Sequence, residues 1–311
     1  MRILITGGGG FIGSHLADRL IDRGDSVLAI DNFTTGRRDN LAPRGQLTLI
    51  EGSIADREVV DAAFGDFRPE LVIHAAAAYK DPEDWTNDAL TNVVGTATVV
   101  RAAKEVGVKR IIYFQTALCY GVKPLEQPIT LDHPLRPTDS SYAISKTAAE
   151  HYVRLSGLDH VSFRLANAYG PRNLSGPLPT FFMRLTGGKD CFVADTRRDF
   201  VFVDDIVDCV MGAVEGRGHG VYHVASGGDF AIRELYDGVV RALRLNLDRD
   251  VEVRARAEND AYTILLDPSR TTEDFGWTPR TPLDQGIRRA VEYYKAAGVE
   301  ETFTHLTAPN D

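Results

Sequence analysis

The chain of 311 residues is 43% hydrophobic and 25% charged, which suits one large α/β domain carrying a smaller lobe and gives no sign of disorder. A formal net charge of −9 without a basic cluster argues against a protein that tracks a nucleic-acid backbone. No apolar run approaches the ~20 residues that span a bilayer, so neither nucleic acid nor membrane is expected as a partner.

The opening segment MRILITGG reads as a short strand, not as the apolar region of a signal peptide, and a soluble cytoplasmic protein is the expectation. Residues 3–6 form that strand and end in glycines. In ITGGGGFIGSHL the glycines Gly7, Gly10 and Gly13 stand three residues apart. The first permits a tight turn, the second lets backbone approach a pyrophosphate, and the third lets a helix pack close to the strand. The helix over 14–23, with Leu16, Leu20 and Ile21 on one face, would offer its amino-terminal N–H groups to phosphate. A second strand over 26–30 leads to Asp31, about twenty residues on, where a carboxylate accepts hydrogen bonds from an adenosine ribose. The same carboxylate repels a 2′-phosphate, so NAD is expected over NADP. Arg37 and Arg38 in the polar loop over 32–45 stand as an opposing influence, either meeting phosphate or lying solvated at the surface.

Strands over 47–50 and 71–75 enclose a helix over 56–64. A longer helix over 89–106 precedes a strand over 110–114, and a helix over 143–156 precedes one over 161–165. Strands this apolar, alternating with helices, need both sheet faces covered, which predicts a Rossmann-type doubly wound parallel sheet. After residue 170 proline and glycine cluster, and later elements read as shorter and less regular. The expected division is a dinucleotide domain over 1–170, re-entered by about 200–225, and a smaller substrate-binding lobe over most of 171–311.

In SSYAISK, Tyr142 and Lys146 are four residues apart and share one helix face. A free tyrosine titrates near ~10, and an ammonium beside it favours the phenolate needed for acid–base work. Thr116 follows the 110–114 strand, where an open sheet presents ligand-facing polar groups; its hydroxyl either binds a substrate oxygen or caps the next turn. The three cysteines, Cys119, Cys191 and Cys209, have no CxxC spacing and no nearby histidine pair. No metal site or disulfide framework is expected from them.

The segments TGGGGFIG, DNFTTGRRDNL, HAAA, NVVGT, QTALCYG, SSYAISK, FRLANAYGPR, RRDFVFVDD and LLDPSRTTEDFGWTP carry a resemblance over nearly the whole chain. It resembles the extended short-chain dehydrogenase/reductases of the nucleotide-sugar epimerase and dehydratase group, and within it the epimerase-like enzymes of bacterial surface-polysaccharide clusters. The resemblance implies that Gly7, Gly10, Phe11, Ile12 and Gly13 hold the pyrophosphate and Asp31 and Asn32 the ribose. Ala75, Ala76 and Ala77 would run along the cofactor, with Asn92 near its nicotinamide half. Thr116, Tyr142 and Lys146 would be the catalytic set, Lys146 also touching the nicotinamide ribose. Asn167 and Arg198 would hold the diphosphate of a UDP-sugar, and Lys80 a diphosphate or sugar carboxylate. A homodimer built on the 89–106 and 143–156 helices is also implied.

Two departures qualify this. Relatives often place an aspartate for the adenine amino group where Ser53 stands, so the contact through Ser53 and Ile54 is expected to be weaker. The 4,6-dehydratases carry Thr-Asp-Glu where this chain has Thr116-Ala117-Leu118, so the acid–base pair for eliminating water is missing. Arg256 and Arg270 are both candidates for a second phosphate-binding arginine. The expected reaction is C4 epimerisation through a transient 4-keto sugar. The rivals are net oxidation, reduction or decarboxylation of a nucleotide sugar, and a catalytically silent NAD-sensing module.

Overall fold

The computed structural model describes residues 1–256 and 260–303. In chain order the first half runs β1 (Arg2–Thr6), α1 (Phe11–Asp22), β2 (Ser26–Asp31), β3 (Leu47–Glu51), α2 (Arg57–Phe67), β4 (Leu71–His74), α3 (Trp85–Asp88), α4 (Thr96–Val106), β5 (Arg110–Thr116), α5 (Ser141–Leu155) and β6 (Asp159–Leu165). The second half runs β7 (Asn167–Tyr169), α6 (Pro177–Thr186), β8 (Phe192–Ala194), β9 (Arg197–Arg198), β10 (Phe200–Phe202), α7 (Val203–Val214), β11 (Gly220–Val224), β12 (Phe230–Ala231), α8 (Ile232–Leu243), β13 (Glu252–Arg254), α9 (Ser269–Phe275) and α10 (Leu283–Ala297).

Seven strands form one sheet in the order β11-β6-β5-β4-β1-β2-β3, with every pairing parallel. Successive strand residues point to opposite faces, so each buried strand feeds two cores. Ile3, Ile5, Val27, Ile73, Ile112 and Phe163 join one core; Leu4, Leu28, Val72, Ile111 and Tyr113 join the other. The chain winds outward from β1 in one direction through β2 and β3, then in the other through β4 to β6. The crevice between the carboxyl ends of β1 and β4 is therefore the topological switch point, where open α/β sheets bind ligands.

The helix expected over 89–106 is one rod with two geometries. A wide π-helical stretch, Ala89–Gly95, opens directly into α4. β11 joins the sheet beside β6. The later strands are short pairs, β10 with β7, β12 with β9 and β13 with β8. The later helices correct the expectation of shorter, less regular elements: α8 has 12 residues and α10 has 15. Their apolar positions, Ile232, Leu235, Tyr236 and Val239 in α8 and Ile287, Ala290, Val291 and Tyr294 in α10, follow helical spacing and are buried.

Candidate active site

The glycine turn joins β1 to α1 in a conformation that side chains would block. Gly7 has φ +69, and a Cβ there would stand 2.7 Å from the Ala76 backbone nitrogen. A Cβ on Gly13 would meet the Gly7 carbonyl oxygen at 2.2 Å, so α1 seats against the turn only because position 13 is bare. Gly10 caps α1 without a side-chain hydrogen bond, and no acidic residue occupies its first turn. The N–H groups of Phe11, Ile12 and Gly13 precede the first intrahelical bond, Ser14 N–H to Gly10 O. That end of α1 carries partial positive charge and open donors, the chemistry a pyrophosphate requires.

Asp31 ends β2 beside this turn. Its Oδ2 accepts from the Gly9 N–H at 2.9 Å and its Oδ1 from the Phe33 N–H at 2.7 Å. Burial raises its pKa against those hydrogen bonds. The carboxylate retains lone pairs for ribose hydroxyls. Asn32 turns back on its own loop, accepting from the Thr34 N–H. Arg37 is held by Asp39 at 2.6 Å, and Arg38 stacks on Phe33 and pairs with Glu51. Both charges beside the ribose position are thus already neutralised, consistent with NAD and not NADP. Ser53 accepts from the Ala55 N–H, and Ile54 is buried against Gly95.

At the nicotinamide end, Ser140 caps α5 by accepting from the Ala143 N–H, and the helix brings Tyr142 and Lys146 to one face. Lys146 is 3% exposed; Gln115 and the Tyr113 hydroxyl both donate to its backbone carbonyl at 3.0 Å. Burial pushes its pKa down to about 7. Burial likewise raises the Tyr142 phenol, with Tyr79 and Asp88 adding to the effect. In the ligand-free protein burial thus acts against the charged form of both groups, opposing the ammonium and the phenolate that their spacing favours. Thr116 does cap the next turn: its Oγ accepts from the Leu118 N–H at 3.2 Å. Capping occupies a lone pair and leaves the O–H proton free to donate to a substrate oxygen, so the two readings of Thr116 are compatible. Cys119 and Cys209 are buried, and burial drives the Cys119 thiol up to about 12, where it is inert.

Two buried networks hold this machinery. Thr96 donates to the Asn92 carbonyl at 2.6 Å, so its oxygen must accept from His74 Nε2–H at 2.8 Å. His74 Nδ1 is then an acceptor for the Thr6 hydroxyl at 2.6 Å, and Thr6 Oγ accepts from the Ala76 N–H. This fixes a neutral imidazole, and burial lowers its pKa to about 3. The Asn92 side chain accepts from the Ala78 N–H and donates to Ala78 O and to Ser145 Oγ; Ser145 in turn donates to Tyr142 O. Asn92 is therefore a clamp between the alanine run and α5, with its amide fully engaged. In the second network Glu150 on α5 pairs with Arg164 on β6 at 2.7 Å. Arg164 donates to the Tyr120 hydroxyl, which donates to His223 Nε2, whose Nδ1 donates to Asp267 O.

On the substrate side, Asn167 opens β7, its side chain donating to Asp199 O at 3.1 Å. Arg198 pairs with Asp260 at 2.6 Å and donates to Ala261 O. Arg256 donates to Asp260 O, which brings it beside Arg198. Arg270 donates to His219 O and Val221 O near the amino-terminal end of β11, away from the crevice. Only Arg256 is placed to act with Arg198. Lys80 is exposed, pairing with Glu301 at 3.5 Å and lying over Phe303. Sequence reasoning singled out neither His74, hidden in the HAAA segment as an apparent strand residue, nor Tyr79, whose ring stands edge-on to Tyr142 with centroids 6.4 Å apart.

Among solved structures the chain resembles Bordetella bronchiseptica WbmH in complex with NAD+, with 56% identity, a TM-score of 0.94, and coverage of 96% of this chain and 99% of that one. WbmG of the same organism, in complex with NAD and UDP, is 44% identical with a TM-score of 0.91, covering 99% of each chain. A UDP-glucose 4-epimerase of Mycolicibacterium smegmatis is 34% identical over 95% of this chain and 99% of that protein. The family model for NAD dependent epimerases and dehydratases matches residues 3–225, a span that takes in the glycine turn, Asp31, Thr116, Tyr142, Lys146 and the sheet that holds them. The chain belongs to the NAD dependent epimerase/dehydratase family.

Proposed function

We propose that the protein epimerises a UDP-sugar at C4, using a resident NAD. The observation that carries this is that α5, bearing Tyr142 and Lys146 one helical turn apart, packs on β5, which ends at Thr116, with Ala117 and Leu118 where an eliminating enzyme needs carboxyl groups. NAD, when bound, would supply a positive ring charge and reversible hydride acceptance. Tyr142 takes the proton of the C4 hydroxyl as a carbonyl forms and gives it back to the new epimer. Thr116 donates to that oxygen, and Lys146 supports the phenolate when protonated. Gly7, Gly10, Phe11, Ile12 and Gly13 cradle the pyrophosphate, Asp31 and Asn32 the ribose, and Ser53 and Ile54 border the adenine. Ala75, Ala76 and Ala77 line the cofactor, and Asn92 positions it through Ala78 and Ser145.

Asn167, Arg198 and Arg256 bind the diphosphate, Asp260 releasing Arg198 as the substrate enters, and Lys80 borders the sugar. Residues 1–170 with 200–225 form the cofactor lobe, and the rest of 171–311 the substrate lobe. The working form is a cytoplasmic homodimer. Leu90, Val94, Ile144, Tyr152 and Leu155 leave an exposed apolar face on the π-helical stretch and α5, the kind of surface a second subunit covers. No helix among the described residues is long and apolar enough to cross a membrane.

Mass spectrometry of the purified protein's bound ligands, then NMR of UDP-sugars incubated with it, tests the reading. Release of NAD and appearance of a C4 epimer are expected. Stoichiometric accumulation of reduced nicotinamide without an epimer would replace it with net oxidation.

A further inference from the structure

Gln115 is the last residue but one of β5 and is buried. It shares a strand face with Tyr113, two positions earlier, and both side chains reach α5 at the Lys146 carbonyl. The Gln115 amide bridges two stretches of backbone. Its Nε2 donates to the Lys146 carbonyl at 3.0 Å, and its Oε1 accepts from the Thr116 N–H at 2.8 Å. These partners fix which way the amide lies, because a carbonyl only accepts and a backbone N–H only donates. β6 pairs with β5 as far as Thr116, but β4 reaches only Tyr113. The end of β5 thus lacks a strand on one side, and a side chain takes up the Thr116 N–H. The same side chain continues to the helix that carries Tyr142 and Lys146.

We propose that Gln115 is a positioning residue that locks the catalytic set into one unit. Its amide ties the backbone of Thr116, at a strand end, to the backbone of Lys146, one helical turn beyond Tyr142. Thr116 and Tyr142 must both reach the same sugar oxygen. The separation of strand end and helix therefore decides whether that oxygen meets its donor and its base together. A methionine or leucine would fill the space but release both backbone groups. A carboxylate would set a second acceptor against the Lys146 carbonyl. Of these, only the amide makes both bonds. The inference rests on Thr116, Tyr142 and Lys146 being the catalytic set.

The test is a double-mutant cycle of Gln115→Met against Thr116→Val, read on kcat with the UDP-sugar that the wild type epimerises. With Thr116 in place, Gln115→Met is expected to lower kcat by about 10–100-fold, the effect of misplacing a reacting group. KM should stay within about twofold, since substrate binding is not what is lost, and NAD should remain bound. In the Thr116→Val protein the hydroxyl to be positioned is gone, and the same substitution should lower kcat by about threefold at most. A side chain that only supports the fold would lower the melting temperature and weaken both backgrounds equally. Circular dichroism melts establish that each variant is folded, and Gln115→Leu carries the same cycle if Gln115→Met is not. Wild-type kcat from the folded variant, or equal losses in both backgrounds, would overturn the bridge. If the wild type accumulates reduced nicotinamide instead of an epimer, C4 epimerisation falls and the cycle is read on that rate, because oxidation draws on the same hydroxyl and phenol. No turnover by the wild type with any UDP-sugar would overturn the catalytic set, and the role of Gln115 with it.

Discussion

Lys146 Nζ lies 4.2 Å from the centre of the Tyr113 ring, over its face, while the Tyr113 hydroxyl donates to the carbonyl of the same lysine. One tyrosine thus holds both ends of Lys146, its face offering the ammonium partial compensation for lost water. The compensation is incomplete, since burial still brings the lysine down to about 7.

This predicts a pH-dependent stability. The folded pKa lies below the ordinary lysine value of 10.5, so between about pH 7 and 10.5 the unfolded chain binds more protons and stability rises with pH. Below pH 7 the burial penalty is fully present, on the order of 5 kcal/mol at 1.36 kcal/mol per unit. In the absence of cofactor, Lys146→Met should therefore be more stable than wild type at pH 6–7, with the gain fading above pH 10 while activity is lost. Urea titrations across that range check it, and equal stability at pH 6.5 would show that the ammonium is well solvated.

Tyr142→Phe removes the proton acceptor while preserving the ring contact with Tyr79. Turnover should fall by about 10²–10⁴-fold, with NAD still bound in the purified protein. Epimerisation at the wild-type rate would refute the assignment.

Thr116→Ser keeps the cap and the donor, and should retain most of the activity. Thr116→Val keeps the shape but loses both; we expect about 1 kcal/mol of lost stability and on the order of a 10²-fold drop in turnover. Steady-state kinetics of the pair separate hydroxyl chemistry from shape. Equal rates would leave Thr116 as a cap alone.

Gly13→Ala places a methyl where only 2.2 Å separates it from the Gly7 carbonyl oxygen. The turn and α1 must part, so we expect a loss of at least about 3 kcal/mol and protein purified without NAD. Thermal melts with and without added NAD report both effects.

Acid should unfold the protein early. Burial holds His74 and His223 neutral, at about 3 and about 4, below the ordinary histidine value of 6.5, so the unfolded chain takes up protons first as pH falls. Together they lower stability by on the order of 2–3 kcal/mol per pH unit between roughly pH 6 and 5, and by less as His223 begins to protonate in the folded protein near pH 4. A flat profile between pH 7 and 5 would mean that both are charged in the folded protein, and a half-sized slope that one of them is.

The amino-terminal half was legible because its information is local: apolar runs, a glycine spacing, and an acid one strand later. Tyr142 and Lys146 were legible for the same reason, being one helical turn apart. Contacts between distant segments were not. Tyr79 and Tyr142 meet only in the folded chain, and Arg256 and Arg270 are told apart only by their partners, Asp260 for the one and the start of β11 for the other. For Tyr142 and Lys146 the spacing gives proximity but not dehydration, which only the packing around α5 shows. Residues 89–106 read as one regular helix because the π-helical widening keeps the apolar pattern nearly continuous.

That widening has a mechanical consequence. Within Ala89–Gly95 the same turn aims Asn92 inward, 1% exposed, and Leu90 and Val94 outward, 48% and 45% exposed. The residue that grips Ala78 and Ser145 is thus the reverse side of the surface offered to another molecule. Pressure on Leu90 and Val94 is felt at Asn92, and ordering of the alanine run is felt at Leu90 and Val94. Whatever effect a molecule covering Leu90 and Val94 has on occupancy of the inner groove, occupancy must have on its association by the same factor, as linkage requires.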